Sequence, residues 1–242
     1  KYIIKEEEEG WGMKIGGLNS RGRKKPIKTP GDSVVFAEFY GIMLGDGNSH
    51  RTSFYKSRKN KRGTYMIRVV GDSRYDKDYL DRYVRAIIKK LFGIRSHFGK
   101  FKKQNAIYIE AHSSNLIDFL ESKEFPPGNK IKNKLGIPTW IKSNSEYLKA
   151  CLRGLIDTDG SLFRMSKRDS NLIRISFTSH GIRLLRDTRE AFISLGFNPS
   201  KIISNKQFFV SRQGEVHKYL KEVGFSNQKH INRLKEIYSP VF

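Results

Sequence analysis

The chain has 242 residues, enough for one large domain or two of about 100–120 residues, and either size buries a core without covalent staples. Its lone cysteine, Cys151, excludes a disulfide framework and any cysteine-based zinc site, and no apolar run is long enough to span a bilayer. Lysine and arginine total 47 against 24 acids, a net charge of +23. Solubility needs a magnitude of only about 2–8, so a polyanion partner is expected, nucleic acid before membrane.

In chain order, residues 1–33 stand apart as an acidic patch, Glu6–Glu9, followed by a basic, Gly-rich extension. This extension is either an arm that touches DNA or a disordered leader. A helix follows and closes in Phe39-Tyr-Gly-Ile-Met-Leu-Gly-Asp46-Gly47. From Asn48 to Val70 come Arg51, Lys56, Arg58, Lys59, Lys61, Arg62 and Arg68, with no acid, interleaved with Phe54, Tyr55 and Tyr65. Basic side chains gathered on one strand-like stretch read as a nucleic-acid footprint. Leu80, Val84, Ile87, Ile88 and Leu91 keep a 3.6-residue period that ends at Gly93, so a core helix is expected there. Phe98–Glu110 reads as a second hairpin. Pro126-Pro127-Gly128 and Pro138 then punctuate the path to a junction between Gly136 and Asn144.

Beyond that junction the same unit recurs. Leu152-Arg-Gly-Leu-Ile-Asp-Thr-Asp159-Gly160 aligns with the first motif without a gap, about 113 residues on. Ile173-Arg174-Ile175 answers Ile67-Arg68-Val69, Glu215–Leu220 answers Asn115–Leu120, and Lys229–Leu234 answers Lys130–Leu135. Ser161–Lys167 and Leu172–Thr178 are predicted strands, with Ile173, Ile175 and Phe177 on one face and Arg174, Ser176 and Thr178 on the other. Ile182, Leu185, Phe192 and Leu195 form the next helical stripe, ending at Gly196, and Asn198–Val210 is the counterpart of the second hairpin. The fold class expected is α+β, a duplicated unit of helix, two strands, helix, two strands and short helices. Its parts are an extension (1–33), a first repeat (34–140) and a second (141–242).

The Asp-Gly ends carry the chemistry. Gly47 and Gly160 suit a left-handed helix-closing residue, which leaves Asp46 and Asp159 at the negative end of a helix dipole, a cost of about 0.3–1 kcal/mol. Finding this twice calls for a compensating cation, either a metal or a basic neighbour. Gly41, Gly45 and Gly154 remove side chains at helical spacing, so the two motif helices are expected to pack closely and bring both carboxylates together. Carboxylate, phosphate and water oxygens are the ligands Mg²⁺ prefers. Neither glycine cluster continues into a P-loop, and the six histidines show no metal-ligand spacing.

The paired nine-residue segments resemble the motif of the LAGLIDADG homing endonucleases, in their single-chain, two-motif branch. The likeness runs from about Phe36 to the C-terminus, and the first copy departs from the motif by placing Leu44 where an acid is common. The resemblance implies a pseudo-two-fold αββαββα duplication, with motif helices at the centre and a DNA-binding antiparallel β-saddle. It implies a metal-dependent DNA endonuclease that cuts a long, pseudo-palindromic and imperfectly symmetric site as a monomer. Asp46 and Asp159 would hold the metals, helped by the carbonyls of Gly45 and Thr158. Mg²⁺ is the implied cofactor, Mn²⁺ a substitute, and Ca²⁺ is expected to support binding without cutting.

A basic residue near each centre is implied to support the attacking water: Lys134 and Arg233, with Lys130 and Lys229 as rivals. Implied DNA contacts are Arg51, Lys56, Arg58, Lys59, Lys61, Arg62 and Arg68 in the first repeat, and Arg164, Lys167, Arg168, Arg174 and Ser176 in the second. Double-stranded DNA is the partner expected, with no membrane and no obligate protein. No intein splicing blocks or secretory signal pattern stand out, so a free-standing, intron-encoded, intracellular enzyme is expected, whether in cytoplasm, nucleoid or organelle. The alternative is a non-cleaving binder of the same fold: an RNA maturase assisting intron splicing, or a DNA-binding regulator.

Overall fold

The computed structural model describes residues 26–52, 63–166 and 172–238. The candidate DNA contacts Lys56, Arg58, Lys59, Lys61, Arg62, Lys167 and Arg168 lie outside the described residues, as does most of the N-terminal extension. Helix α1 (Val34–Leu44) starts where the Ser33 hydroxyl accepts the Phe36 N–H at 3.3 Å. It is followed by β1 (Gly47–Thr52), β2 (Thr64–Asp72), and a π-helical segment (Tyr79–Val84) that continues as α2 (Arg85–Phe92). Then come β3 (His97–Lys100), β4 (Ala106–His112), α3 (Ser114–Ser122) and the short α4 (Thr139–Lys142). The second unit runs α5 (Ser145–Asp159), β5 (Gly160–Arg164), β6 (Ile173–Thr178), α6 (Ile182–Ser194), β7 (Gln207–Val210), α7 (Gln213–Glu222) and α8 (Gln228–Tyr238). The molecule is a duplicated α+β unit.

Both sheets are antiparallel, ordered β1-β2-β4-β3 in the first unit and β5-β6-β7 in the second. In the first, Ile67 lies opposite Ser49 and Ala111, while Arg68 lies opposite Asn48 and Glu110. Alternation therefore buries Ile67, Val69, Ile107 and Ile109 against the helices and turns Arg68 and Glu110 outward. Leu162, Ile173, Ile175, Phe177, Phe208 and Val210 do the same in the second. The second hairpin of the second unit is shorter than predicted, since only an Ile203–Gln207 bridge precedes β7. Ser204 and Asn205 both take left-handed conformations, with φ of 51° and 52°, and turn the chain before a ladder forms.

The two motif helices meet at the centre. A Cβ on Gly41 would run into the Cys151 carbonyl, and one on Gly154 into the backbone of Glu38 and Ile42. Backbone thus lies on backbone, and α1 is buried from Phe36 to Leu44. A helix apolar on every side belongs in a core. Phe36 stacks on Trp140 with ring centroids 5.1 Å apart, and Phe39 meets Phe92 edge-on at 5.2 Å. Cys151 is buried in the same seam.

Gly93 and Gly196 close their helices in the left-handed region, with φ of 69° and 76°. Gly47 and Gly160 do not, which corrects the sequence expectation: Gly47 belongs to β1, and Gly160 is extended with φ −91° and ψ 164°. Their need for glycine is steric. A Cβ on Gly47 would lie 2.6 Å from the Met43 carbonyl oxygen, and one on Gly160 would lie 2.6 Å from the Ile156 side chain. Among the described residues no helix is long and apolar enough to cross a membrane.

Candidate active site

Because the motif helices pack backbone to backbone, their C-terminal ends arrive together. Asp46 follows the end of α1, and Asp159 ends α5. The Asp159 Oδ2 atom lies 3.5 Å from where a Gly45 Cβ would stand, so the second carboxylate faces the residue before the first. Burial pushes the Asp46 carboxyl up to about 6, with Lys229 drawing it down, Asp76 pushing it up and Lys130 drawing it down. Burial, and next the charge of Asp46, push Asp159 up to about 7 against Lys130 and Lys229. Among the described residues no side chain hydrogen-bonds either carboxylate.

Two ammonium groups sit with this pair. Lys130 Nζ donates to the carbonyls of Leu44, at 2.8 Å, and of Gly45, with Met43 further off at 3.4 Å. It thus caps the negative end of α1, and burial lowers its pKa against the charges of Asp159 and Asp46. Lys229 Nζ lies 3.0 Å from Asp76 Oδ1. The structure brings these two lysines to the carboxylates rather than Lys134 and Arg233. Lys134 is exposed in a left-handed turn with φ 48°, and the exposed Arg233 donates to the Leu162 carbonyl at 3.3 Å. Thr158 lies at the seam with its hydroxyl donating back to Gly154 and Leu155.

Behind the carboxylates runs a buried polar network that the motifs alone did not reveal. Glu38 of α1 pairs with Arg153 of α5 at 2.7 Å and accepts from Tyr83 and Ser226 hydroxyls, both at 2.6 Å. Asp157 Oδ2 accepts the Ser226 N–H at 2.8 Å, and burial holds its carboxyl up at about 8. The sequence does hold a signal for Glu38, the one charge in the apolar α1, where it needs a partner, whereas Asp157 sits in a helix that carries several other charges.

The candidate DNA contacts divide by face. Arg51 lies opposite Tyr65, on the helix side of its sheet, and its guanidinium pairs with Asp118 at 2.6 Å and Glu121 at 2.8 Å. Arg164, its repeat partner, also lies on the helix side and donates to the carbonyls of Glu236 and Ile237. Both ends of the first strands are therefore tied to helices by strand parity. Ser176 is 7% exposed between its neighbouring strands. Arg68 and Arg174 do stand on the outer faces. Arg68 is held by Glu110 at 2.6 Å over the Tyr108 ring, whereas Arg174 lies over Phe209 at 4.9 Å with no carboxylate partner among the described residues.

A divalent cation fits this donor set. Two half-buried carboxylates of like charge offer only oxygen. The described residues hold no cluster of three or more acidic, histidine or cysteine ligands, so phosphate and water would complete the shell. Mg²⁺ is usually held that way, by one or two carboxylates plus substrate phosphates.

The profile of the LAGLIDADG-like domain family matches residues 146–224. No curated protein matches the chain. Among solved structures, I-DmoI in complex with DNA and Ca superposes with a TM-score of 0.54 and 17% identity, covering 84% of this chain and 97% of that one. The LAGLIDADG meganuclease I-AabMI bound to uncleaved DNA gives 0.51 and 13%, covering 82% and 88%. The LAGLIDADG homing endonuclease I-SmaMI bound to cleaved DNA gives 0.52 and 11%, covering 86% and 88%. Residues 146–224 thus match the LAGLIDADG-like domain, and the chain has the fold of these LAGLIDADG homing endonucleases.

Proposed function

We propose that this chain is a site-specific DNA endonuclease of the homing type, hydrolysing one phosphodiester in each strand with divalent metal held at Asp46 and Asp159. The observation that carries the reading is the pair of half-buried, like-charged carboxylates at the joined helix ends, with Lys130 and Lys229 beside them. Such a pair is costly to keep ionised without added positive charge. A divalent ion bound there would activate water and stabilise charge on the phosphate and the leaving oxygen. Asp46 and Asp159 would hold it. Lys130 and Lys229 are assigned the supporting basic roles, since their charges act on both carboxylates, whereas Lys134 and Arg233 stand exposed. The outer sheet faces, carrying Arg68 and Arg174, are assigned to the major groove of a long duplex site.

Incubation with a random-site plasmid library and Mg²⁺, followed by sequencing of the cut ends, tests the reading. The wild type should yield one recurrent long site. Asp46→Asn and Asp159→Asn should each abolish double-strand cleavage while leaving binding to that site largely intact. Full cleavage by either variant would remove that residue from the reaction. A protein that binds the library but cuts nothing would favour a non-cleaving binder of the same fold.

A further inference from the structure

The two lysines beside the carboxylates are held in unlike ways. Lys130 rests on main-chain carbonyls, and among the described residues no carboxylate lies within ion-pair distance of it. Lys229 stands at the start of α8 in the second repeat, yet its ammonium is held by Asp76 of the first, 3.0 Å away. Asp76 is only 7% exposed and its own oxygens are in use. Oδ2 accepts the Asp72 N–H at 2.9 Å, and Oδ1 accepts the Asn227 amide at 2.9 Å.

The turn that bears Lys229 is fixed from the other side as well. Ser226 N–H donates to Asp157 Oδ2 at 2.8 Å, the Asn227 amide donates to the Asp157 carbonyl at 3.1 Å, and Lys229 N–H donates to Asn227 Oδ1 at 3.1 Å. In the first motif Leu44 stands where Asp157 stands in the second, so the Lys130 turn has no such carboxylate to grip.

We infer that Asp76 is a positioning residue for Lys229, so that one of the two cleavage centres is assembled across the repeats and cutting of its strand alone depends on Asp76. The inference rests on the endonuclease reading above. A lysine ammonium is a point charge on a flexible four-carbon stem, and it needs an external partner to keep one place. Asp76 supplies that partner, being itself locked by backbone and amide donors. Its loss leaves the lysine present but loosely placed, and a misplacement of about 1 Å costs on the order of a hundredfold in rate.

The test uses a duplex carrying the site recovered from the plasmid library, its two strands labelled with different fluorophores, with Mg²⁺. Asp76→Asn should slow one strand roughly tenfold to a hundredfold and leave the other near its wild-type rate. Lys229→Met should slow that same strand, and the double variant should be no slower than Lys229→Met alone. Equal slowing of both strands, or multiplied losses in the double variant, overturns the inference and leaves Asp76 a merely structural residue. A second measurement needs no cleavage. With lysines carrying ¹³C-methyl labels, the Lys229 signal, assigned with Lys229→Arg, should collapse onto those of exposed lysines in Asp76→Asn while the Lys130 signal stays put. An unmoved Lys229 signal overturns the positioning role, whereas a wild type that cuts nothing overturns the endonuclease reading instead.

Discussion

Asp46 and Asp159, raised to about 6 and 7 chiefly by burial, keep protons in the folded chain that an unfolded chain would release. The sign follows from linkage: between about pH 4 and 7 these groups make the metal-free fold less stable as pH rises. A divalent cation binds the ionised forms, so it competes with protons and relieves the repulsion. Calcium should therefore raise the melting temperature more at pH 8 than at pH 5, and Asp159→Asn should remove most of that difference. Equal shifts at both pH values would place the cation elsewhere. The two outer-face arginines also part company at this scale. Arg174→Ala should relax base preference by about 1–3 kcal/mol at one or two positions of one half-site, the worth of a bidentate arginine contact. Arg68→Ala should do less, because Glu110 already holds that guanidinium at 2.6 Å, and Glu110→Gln should strengthen DNA binding. A cleavage profile unchanged by Arg174→Ala would remove it from base reading. The two motif aspartates are legible from sequence because an acid at a helix C-terminus is unfavourable and here occurs twice. Asp76 is not legible, because it is one loop aspartate among several until Lys229 arrives from 153 residues away in the chain.

The elements show which sequence signals survive tertiary packing. Gly41 and Gly154 are legible as a close helix contact, since helical spacing leaves only one use for two bare positions at matching places. Gly47 and Gly160 are misleading: a glycine after a helix suggests a left-handed cap, and only the approach of Met43 and Ile156 reveals the steric demand. Arg51 and Arg164 mislead for another reason. Composition puts Arg51 in a basic cluster and the resemblance implies a DNA contact for Arg164, but strand parity sends both toward helices, where they brace α3 and α8. Arg51→Ala is accordingly expected to lower the melting temperature while leaving the salt dependence of DNA binding unchanged. A flatter salt slope in that variant would return Arg51 to the DNA face. Gly41→Ala should cost about 1–3 kcal/mol by overpacking the seam against the Cys151 carbonyl. In a chain of this size that amounts to roughly 2–4 °C per kcal/mol in a thermal melt. Because the carboxylates sit at the end of the same seam, the variant should also lose cleavage beyond what its melting temperature explains.

At the scale of the whole molecule, the duplication decides the stoichiometry. The helix face that could pair with another copy of the motif is already consumed within the chain, where α1 lies buried against α5. A second chain would find neither backbone seam open, so one chain should carry both centres. The charge points the same way. A net +23 on 242 residues repels a second copy, while DNA offers the compensating anion in one piece. Sedimentation of the Ca²⁺ complex should give the mass of one 28.0 kDa chain on one duplex, with no protein dimer at any ratio below saturation. Binding should weaken steeply with salt, by about 0.9 in logarithmic slope for each phosphate contacted. Replacing Lys59 or Lys61, which lie outside the described residues, should reduce that slope by up to about one such unit each and weaken all sequences alike. A complex holding two chains on one site would contradict the intrachain pairing of the motif helices, and with it the placing of both centres on one chain.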